Sequence, residues 1–242
     1  MTITEPQIGA FIAVLARAGG LAVTAPVVGD TGVPVRARLI FVMAIAFVVG
    51  PNRPGLLLSD VAGVAIMELA VGLLTGLTAR FVMSRAAVAG QLMGLSLGLG
   101  FASQYDHNAG ESAGTLRMAI TSIAGLIFLA TGGLESIVQS ASASPATVGQ
   151  LALLGPQLLH EGTAAFGHGL ALAAPIVLAS LIGNIGLALI NRAAPAANIF
   201  SIALVGVLVL GGIAMLGTSG ELVGGLLNDA RSAIAVLQGS SL

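Results

Sequence analysis

The sequence contains no cysteine and no lysine, and only 8% of its 242 residues are charged. Without cysteine the chain cannot form disulfides, thiolate metal sites or a cysteine nucleophile. Soluble domains usually carry about 25% charged residues, so this chain has too little charge to cover a surface that faces water. The net charge of −1 also provides no basic surface for nucleic acid. Composition therefore predicts a membrane or membrane-complex protein that does not bind nucleic acid.

Aromatic residues are scarce as well, with no tryptophan and a single tyrosine. The aromatic belts that usually mark the two bilayer interfaces are therefore missing. This absence indicates that much of the apolar surface contacts protein rather than lipid. The first residues have no basic region of the kind that opens a signal peptide, so we expect the first apolar run to belong to the mature protein.

Apolar runs of helical length follow one another along the whole chain, separated by breaks that contain glycine and proline. Crossing the ~30 Å hydrocarbon core takes about 20 residues. The second run is shorter than that, and Pro51 and Pro54 follow it, so it is expected to form half of a kinked hairpin. No linker divides the chain, which predicts one all-helical unit over residues 1–242. The runs cover residues 8–28, 39–50, 56–79, 81–102, 118–139, 151–159, 166–190, 199–217 and 220–237.

Four of these runs carry a charged residue near the middle, namely Arg17, Glu68, Arg85 and Glu135. A charge at mid-bilayer costs about 2.5–3.5 kcal/mol, so four such helices are not expected to face lipid. Pairing of Glu68 with Arg85 or Arg17 would neutralise the charges at helix contacts. A proton or ion relay through these residues is the alternative interpretation.

The arginines near the second run do not fit a simple alternating topology. Arg36 and Arg38 precede this run and Arg53 follows it, so two consecutive loops on opposite sides would both be basic. A plain bundle of alternating membrane spans is therefore not expected.

Glycine is abundant, with 34 residues, and recurs at four-residue steps in two of the runs. Residues four apart share one face of a helix, and small residues let helices approach closely in apolar surroundings. The pattern fits packing within the chain and equally fits an assembly surface for neighbouring chains. The steps are Glu68, Gly72 and Gly76 in the third run and Gly90, Gly94 and Gly98 in the fourth.

The sequence provides no pattern that predicts catalysis. The histidines His107, His160 and His168 have no metal-ligand spacing with one another or with an acid. We therefore predict no enzyme activity, no cofactor and no metal site.

Two polar segments stand out instead. The first is the loop of residues 101–114, which could be an exposed turn or an obstruction in a pore. The second is the break of residues 191–198, where Pro195 would set a bend.

In their order and spacing, these features resemble the FliR family, a component of the flagellar type III export gate with relatives in the injectisome. The likeness covers nearly the whole chain. The residues that carry it and that the resemblance implicates in assembly are Arg17, Pro26, Pro34, Arg36, Glu68, Gly72, Gly76, Gly90, Gly94, Gly98, Arg192, Pro195, Asn198 and Phe200. Two positions depart from the family pattern: Ala196 stands where glutamine is frequent, and His107 where proline is common.

The resemblance implies an all-α membrane-complex protein of inclined, kinked helical hairpins. One FliR copy would join several FliP and FliQ subunits, with FlhB as a further partner, in a closed cone for unfolded flagellar proteins. It would lie in the bacterial inner membrane, within the flagellar basal body. The implied channel plug comprises Phe101, Ser103, Gln104, Tyr105, Asp106 and His107.

Two further possibilities stay open at this stage. A small-solute secondary transporter would use Glu68 and the arginines to couple ions to substrate, and it would purify alone as a monomer or dimer. The injectisome version of the same gate would share the mechanism and differ only in cargo.

Overall fold

The computed structural model describes residues 4–57, 59–99, 114–193 and 199–239, except for the side chains of 199–204. These residues form eight α-helices and one short 3₁₀ turn, with no strand among them, which confirms the predicted all-α fold. The helices are α1 (Glu5–Thr24), α2 (Val35–Val49), α3 (Val61–Ser96), α4 (Thr115–Ala130), α5 (Gly133–Ser142), α6 (Val148–Ala193), α7 (Ile199–Gly217) and α8 (Ser219–Gly239), and the 3₁₀ turn is Gly50–Asn52.

Two pairs of apolar runs that the sequence separates are continuous helices in the structure. The runs 56–79 and 81–102 are joined in α3, and the runs 151–159 and 166–190 are joined in α6. The sequence between the first two runs is a single arginine, Arg80, whose side chain reaches Asp30 without ending the helix. A charged residue lowers the local hydropathy but leaves the backbone hydrogen bonds of a helix in place, so it need not end the helix.

Kinked helices are present, as the fold class predicts, at two breaks where the sequence had not located a bend. Helices α4 and α5 are bent by 61° at the break around Gly132, and α7 and α8 by 63°. Gly132 has φ +93°, in the left-handed region that glycine enters without the steric cost of a Cβ atom.

Four helices are long and apolar enough to cross a membrane, or up to six if each bent pair counts as one span, within the part of the chain that the structure describes. One of the four is α2 with its 3₁₀ turn, 18 residues from Val35 to Asn52. The expectation that this region is too short to span alone is therefore wrong by length. The helix begins before the apolar run and takes Arg36 and Arg38 into its first turns.

The chain divides into two compact units. The first comprises residues 1–83, 125–164 and 229–242, and the second comprises 84–124 and 165–228. In the first unit α1 packs on α2 and on α5, around buried side chains such as Val14, Leu21 and Ile137. That residues 1–242 form a single folding unit stays a prediction.

Helices α1 and α3 approach each other through glycines. A Cβ atom on Gly20 of α1 would lie 2.7 Å from the carbonyl oxygen of Leu69. One on Gly72 of α3 would overlap with the carbonyl oxygen of Arg17. The two backbones are therefore in direct contact, and this contact brings the side chains of Arg17 and Glu68 to the same depth in the unit.

Candidate functional site

Three charged side chains meet inside the first unit, and we call Arg17, Arg53 and Glu68 the buried charge cluster. Arg17 is 1% exposed and Glu68 is fully buried, while the Arg53 side chain is 7% exposed. Arg17 Nε lies 2.5 Å from Glu68 Oε2, and Arg53 Nη1 lies 3.3 Å from Glu68 Oε1. The first contact does not align as a hydrogen bond, so it is chiefly an attraction between opposite charges. Of the two partners expected for Glu68, Arg17 is therefore present.

The end of α5 supplies further acceptors to the two arginines. Arg17 Nη1 donates to the carbonyl oxygens of Ala143, at 3.2 Å, and Ser140, at 3.5 Å. Arg53 Nη2 donates to the carbonyl oxygen of Ala141 at 3.1 Å. The last carbonyl groups of a helix lack partners within it and give its C-terminus a partial negative charge. The cluster holds two positive groups and one negative group, and the α5 terminus offsets the excess.

Glu68 also binds the connection between α5 and α6, because its Oε1 accepts the backbone N–H of Ala146 at 3.0 Å. The cluster thus joins α1, the segment after α2, α3 and the α5–α6 connection. Removing one partner of a buried ion pair typically costs about 3–5 kcal/mol, since it leaves a charge without compensation. A cluster with contacts to four segments is suited to fixing their relative positions.

The chemistry of the cluster favours this structural role over catalysis or ion relay. Its single carboxylate is already engaged by two guanidinium groups and one backbone amide. Among the described residues no group of three or more His, Asp and Glu side chains could hold a metal ion. An ion relay would need carboxylate oxygens that exchange partners, whereas Glu68 Oε1 accepts from Arg53 and Ala146 and Oε2 lies buried against the Arg17 guanidinium.

The predicted glycine faces make close helix contacts within the chain. Gly72 and Gly76 of α3 lie against α1, and a Cβ on Gly76 would be 2.9 Å from the backbone nitrogen of Ala25. In the second unit, a Cβ on Gly90 would be 2.7 Å from the Cα atom of Arg117. Packing within the chain therefore accounts for these three glycines, and their contacts with neighbouring chains stay a prediction.

The last two glycines of the step are in different surroundings. The nearest atom to a Cβ on Gly94 would be Leu116 Cβ, at 3.8 Å. Gly98 has φ +75° and follows the end of α3. The N–H groups of Gly98 and Leu99 donate back to the carbonyls of Leu95 and Gly94, at 3.1 and 3.0 Å. Gly98 thus closes the helix in the left-handed conformation that typically caps a helix C-terminus.

The remaining sequence-predicted residues are dispersed. Pro26 is buried in the turn after α1, Pro34 is the N-cap of α2, and Arg36 and Arg192 are exposed in terminal turns of helices. Arg85 is buried in α3, whereas Glu135 is exposed in the first turn of α5, so its expected mid-helix position is wrong. Outside the described residues lie Phe101, Ser103, Gln104, Tyr105, Asp106, His107, Pro195 and Asn198, as does the side chain of Phe200.

Arg53 is the cluster member that sequence reasoning missed, because it was counted as a loop charge. The available signal was its position between Pro51 and Pro54, which restrict the backbone on both sides. Arginines on both sides of the second apolar run had seemed to conflict with an alternating topology. Because Arg53 points inward and pairs with Glu68, it does not count as a free basic residue of a loop, and this conflict disappears.

Comparison with known proteins gives a consistent result. The sequence model of the family described as "Bacterial export proteins, family 1" matches residues 8–231. The flagellar biosynthetic protein FliR of Caulobacter vibrioides is 31% identical over 205 residues, which cover 78% of this chain and 80% of the relative. FliR of Escherichia coli is 30% identical over 202 residues, covering 78% of this chain and 76% of the relative. The match spans nearly every helix described above, and the chain therefore belongs to the FliR family of bacterial export proteins.

Proposed function

We propose that the chain is a non-enzymatic core subunit of the flagellar type III protein export gate, where it helps to form and to plug the channel for unfolded flagellar proteins. Its partners would be FliP, FliQ and FlhB, in the bacterial inner membrane at the flagellar basal body. Membership of the FliR family supports the export role. The assembly role rests on one physical observation, the length of the apolar helices.

Helix α6 has 46 residues, a contour of about 69 Å at 1.5 Å per residue, and α3 has 36 residues, about 54 Å. The hydrocarbon core is only ~30 Å thick. Apolar side chains are exposed near both ends of α6, including Leu153 and Leu159 early and Leu189 late in the helix. Since lipid cannot cover the whole contour, other protein chains are needed to cover the remainder.

The same observation separates the export gate from a small-solute transporter. A transporter helix is matched to the bilayer, at roughly 17–25 residues. A coupling site would also need an acidic group with an accessible oxygen, whereas the Glu68 carboxylate is buried and paired with two guanidinium groups. Both features favour a gate subunit.

Co-expression with FliP and FliQ from the same genome tests the assembly. We expect native mass spectrometry to detect one copy of this chain in a complex with several copies of the other two. Expressed alone and kept in detergent, the chain is expected to form no stable oligomer of defined size. A chain that purifies alone as a stable monomer or dimer and leaves FliP and FliQ unbound would rule out the gate and favour the transporter.

The plug is tested separately, in a complex whose assembly has been verified. Deletion of residues 103–110 is expected to raise leakage of small ions through the reconstituted gate. Replacement of the same residues by a glycine–serine segment of equal length is the control that keeps the connection intact, and it should leak to an intermediate extent. Leakage at the parent level in an intact complex would mean that this loop is not the plug.

A further inference from the structure

Helix α2 presents a largely exposed apolar face, and only near its C-terminal end does this face meet α1, where the rings of Phe47 and Phe11 lie 5.1 Å apart between centroids. Five large side chains on it are exposed by 40–71%. Successive members are one, three, four and one residues apart, which places all five on one side of the helix. The exposed Arg36 stands at the N-terminal end of this face, four residues before Ile40. We call this surface the α2 outer face, and its apolar members are Leu39, Ile40, Met43, Phe47 and Val48.

The α2 outer face differs in composition from the surfaces that contact other helices. Between Val35 and Val49 the helix has no glycine, whereas the contact between α1 and α3 is built on Gly20, Gly72 and Gly76. Close helix contacts in apolar surroundings use small residues, and large aliphatic side chains are compatible with lipid tails. Half of the residues in the apolar stretch of α1 are buried within the chain, whereas only 22% of those in the apolar stretch of α2 are buried.

Positive charge is concentrated at the N-terminal end of this face. Arg36, Arg38 and Arg80 lie there with one acid, Asp30, which gives a formal charge of +2. Arg38 donates to the carbonyl oxygen of Asp30, and Arg80 pairs with its carboxylate at 2.9 Å. Within the described residues, Arg36 makes no side-chain hydrogen bond or ion pair.

The opposite end of α2 differs in this respect. Arg53, the arginine that follows this end, is turned into the buried charge cluster and neutralised by Glu68. Within the part of the chain that the structure describes, the helix therefore has an apolar outer face with an exposed cation at one end only. An exposed arginine at the end of an apolar surface is complementary to a phosphate at the boundary between headgroups and acyl chains.

We propose that the α2 outer face lies against phospholipid acyl chains and that Arg36 binds the phosphate of an anionic phospholipid. This site goes beyond the export function and does not depend on it, because it rests on the surface of this chain alone. A helix from another protein subunit on the same face is the competing occupant, and the experiments below distinguish the two.

The headgroup is tested on the purified full chain, in detergent that contains equal amounts of phosphatidylglycerol and phosphatidylcholine. Native mass spectrometry then measures which lipid stays bound. We expect the parent chain to prefer phosphatidylglycerol and Arg36→Gln to reduce that preference about fivefold, as expected for one arginine near an anionic surface. Arg231→Gln removes another exposed arginine, from α8, and should leave the preference unchanged. A parent chain without preference, or equal preference in Arg36→Gln, would overturn the headgroup site.

The acyl-chain contact is tested by fluorescence, since the chain has no tryptophan. Ile40→Trp places a single indole on the α2 outer face, and Phe128→Trp places one at a fully buried position. In vesicles of phosphatidylcholine, brominated acyl chains should quench the first indole strongly and the second little. Circular dichroism checks that both variants are folded, and Leu21→Trp is a second buried control. Equal quenching at exposed and buried positions would contradict the lipid contact.

Photo-cross-linking in living cells decides between lipid and a protein partner. A photoreactive phenylalanine analogue at Ile40 or Phe47 should give no discrete protein adduct if lipid covers this face. An adduct of defined mass would show that another subunit occupies the α2 outer face in the assembled state, and the proposal would then be wrong.

Discussion

Two arginine–carboxylate pairs hold the same helix, α3, in very different surroundings. Glu68 pairs with Arg17 where both side chains are at most 1% exposed. Arg80 pairs with Asp30 where the side chains are 39% and 53% exposed. The chemical groups are the same, and both pairs lie in the first unit. The main difference between them is access to water.

This difference decides what each pair can do. An exposed pair is screened by water and salt and typically contributes about 0–1 kcal/mol. In a buried pair each charge has lost its hydration, so the loss of one partner leaves the other with a large uncompensated cost. The buried charge cluster is therefore a strong constraint on helix positions, and the exposed pair adjusts only the turn that contains Asp30. The predictions below test this contrast.

The largest effect is expected for Glu68→Gln. The substitution keeps the size of the side chain but leaves two buried guanidinium groups without a counter-charge. We expect a loss of about 3–5 kcal/mol in the free energy of unfolding. The measurement is detergent-induced unfolding of the full chain, followed by circular dichroism.

Arg53→Gln is the matched control for this substitution. It removes the excess positive charge and leaves the Arg17–Glu68 pair balanced, so it should destabilise the chain less than Glu68→Gln. Added to Glu68→Gln, it should restore part of the lost stability, because only one uncompensated charge then remains. If Arg53→Gln alone costs as much as Glu68→Gln, the charge balance described here is wrong.

An intermediate effect is expected for Gly72→Ala. Its Cβ atom would overlap with the Arg17 carbonyl oxygen, and a backbone atom cannot move aside as a side chain can. We expect a net loss of about 1–2 kcal/mol, in which an overpacking cost of about 1–3 kcal/mol exceeds the better helix propensity of alanine, up to about 1 kcal/mol. Thermal unfolding of the full chain in detergent, followed by circular dichroism, measures it.

Gly63→Ala provides the control in the same helix. Gly63 is exposed and nothing would lie within 4 Å of its Cβ atom. Alanine there should be neutral or stabilising, through its higher helix propensity alone. Equal destabilisation at both positions would show that the contact between α1 and α3 does not depend on Gly72.

The features that sequence could predict are those with a local or periodic signal. Hydropathy predicted the helical fold, and the four-residue glycine step identified the face of α3 that meets α1. The charge in the middle of α1 indicated that Arg17 needs an acid, and Glu68 was one of few candidates. Hydropathy alone did not predict that α3 and α6 are continuous, since polar residues, Arg80 in α3 and His160 and Glu161 in α6, interrupt the apolar runs without ending the helix.

The rest of the cluster lies beyond sequence reasoning for a physical reason. Its additional acceptors are the carbonyl oxygens of Ser140, Ala141 and Ala143 at the end of α5. Every residue has a carbonyl group, so the residue type carries no information about which one is left free. Only the end of α5 and its position against α1 determine these contacts, and both are tertiary features.

The smallest effect is expected for Asp30→Asn, which removes the carboxylate that pairs with Arg80. The backbone carbonyl of Asp30, which accepts from Arg38, remains in place. We expect a loss of about 0–1 kcal/mol, measured by the same thermal unfolding at low salt. At about 1 M salt the Debye length falls to about 3 Å, so the difference between the parent and Asp30→Asn should disappear. The effect of Glu68→Gln should persist at this salt concentration, because ions do not reach a buried carboxylate. If salt abolishes both effects equally, the two pairs are equally accessible to solvent, and the contrast between the buried charge cluster and the exposed pair fails.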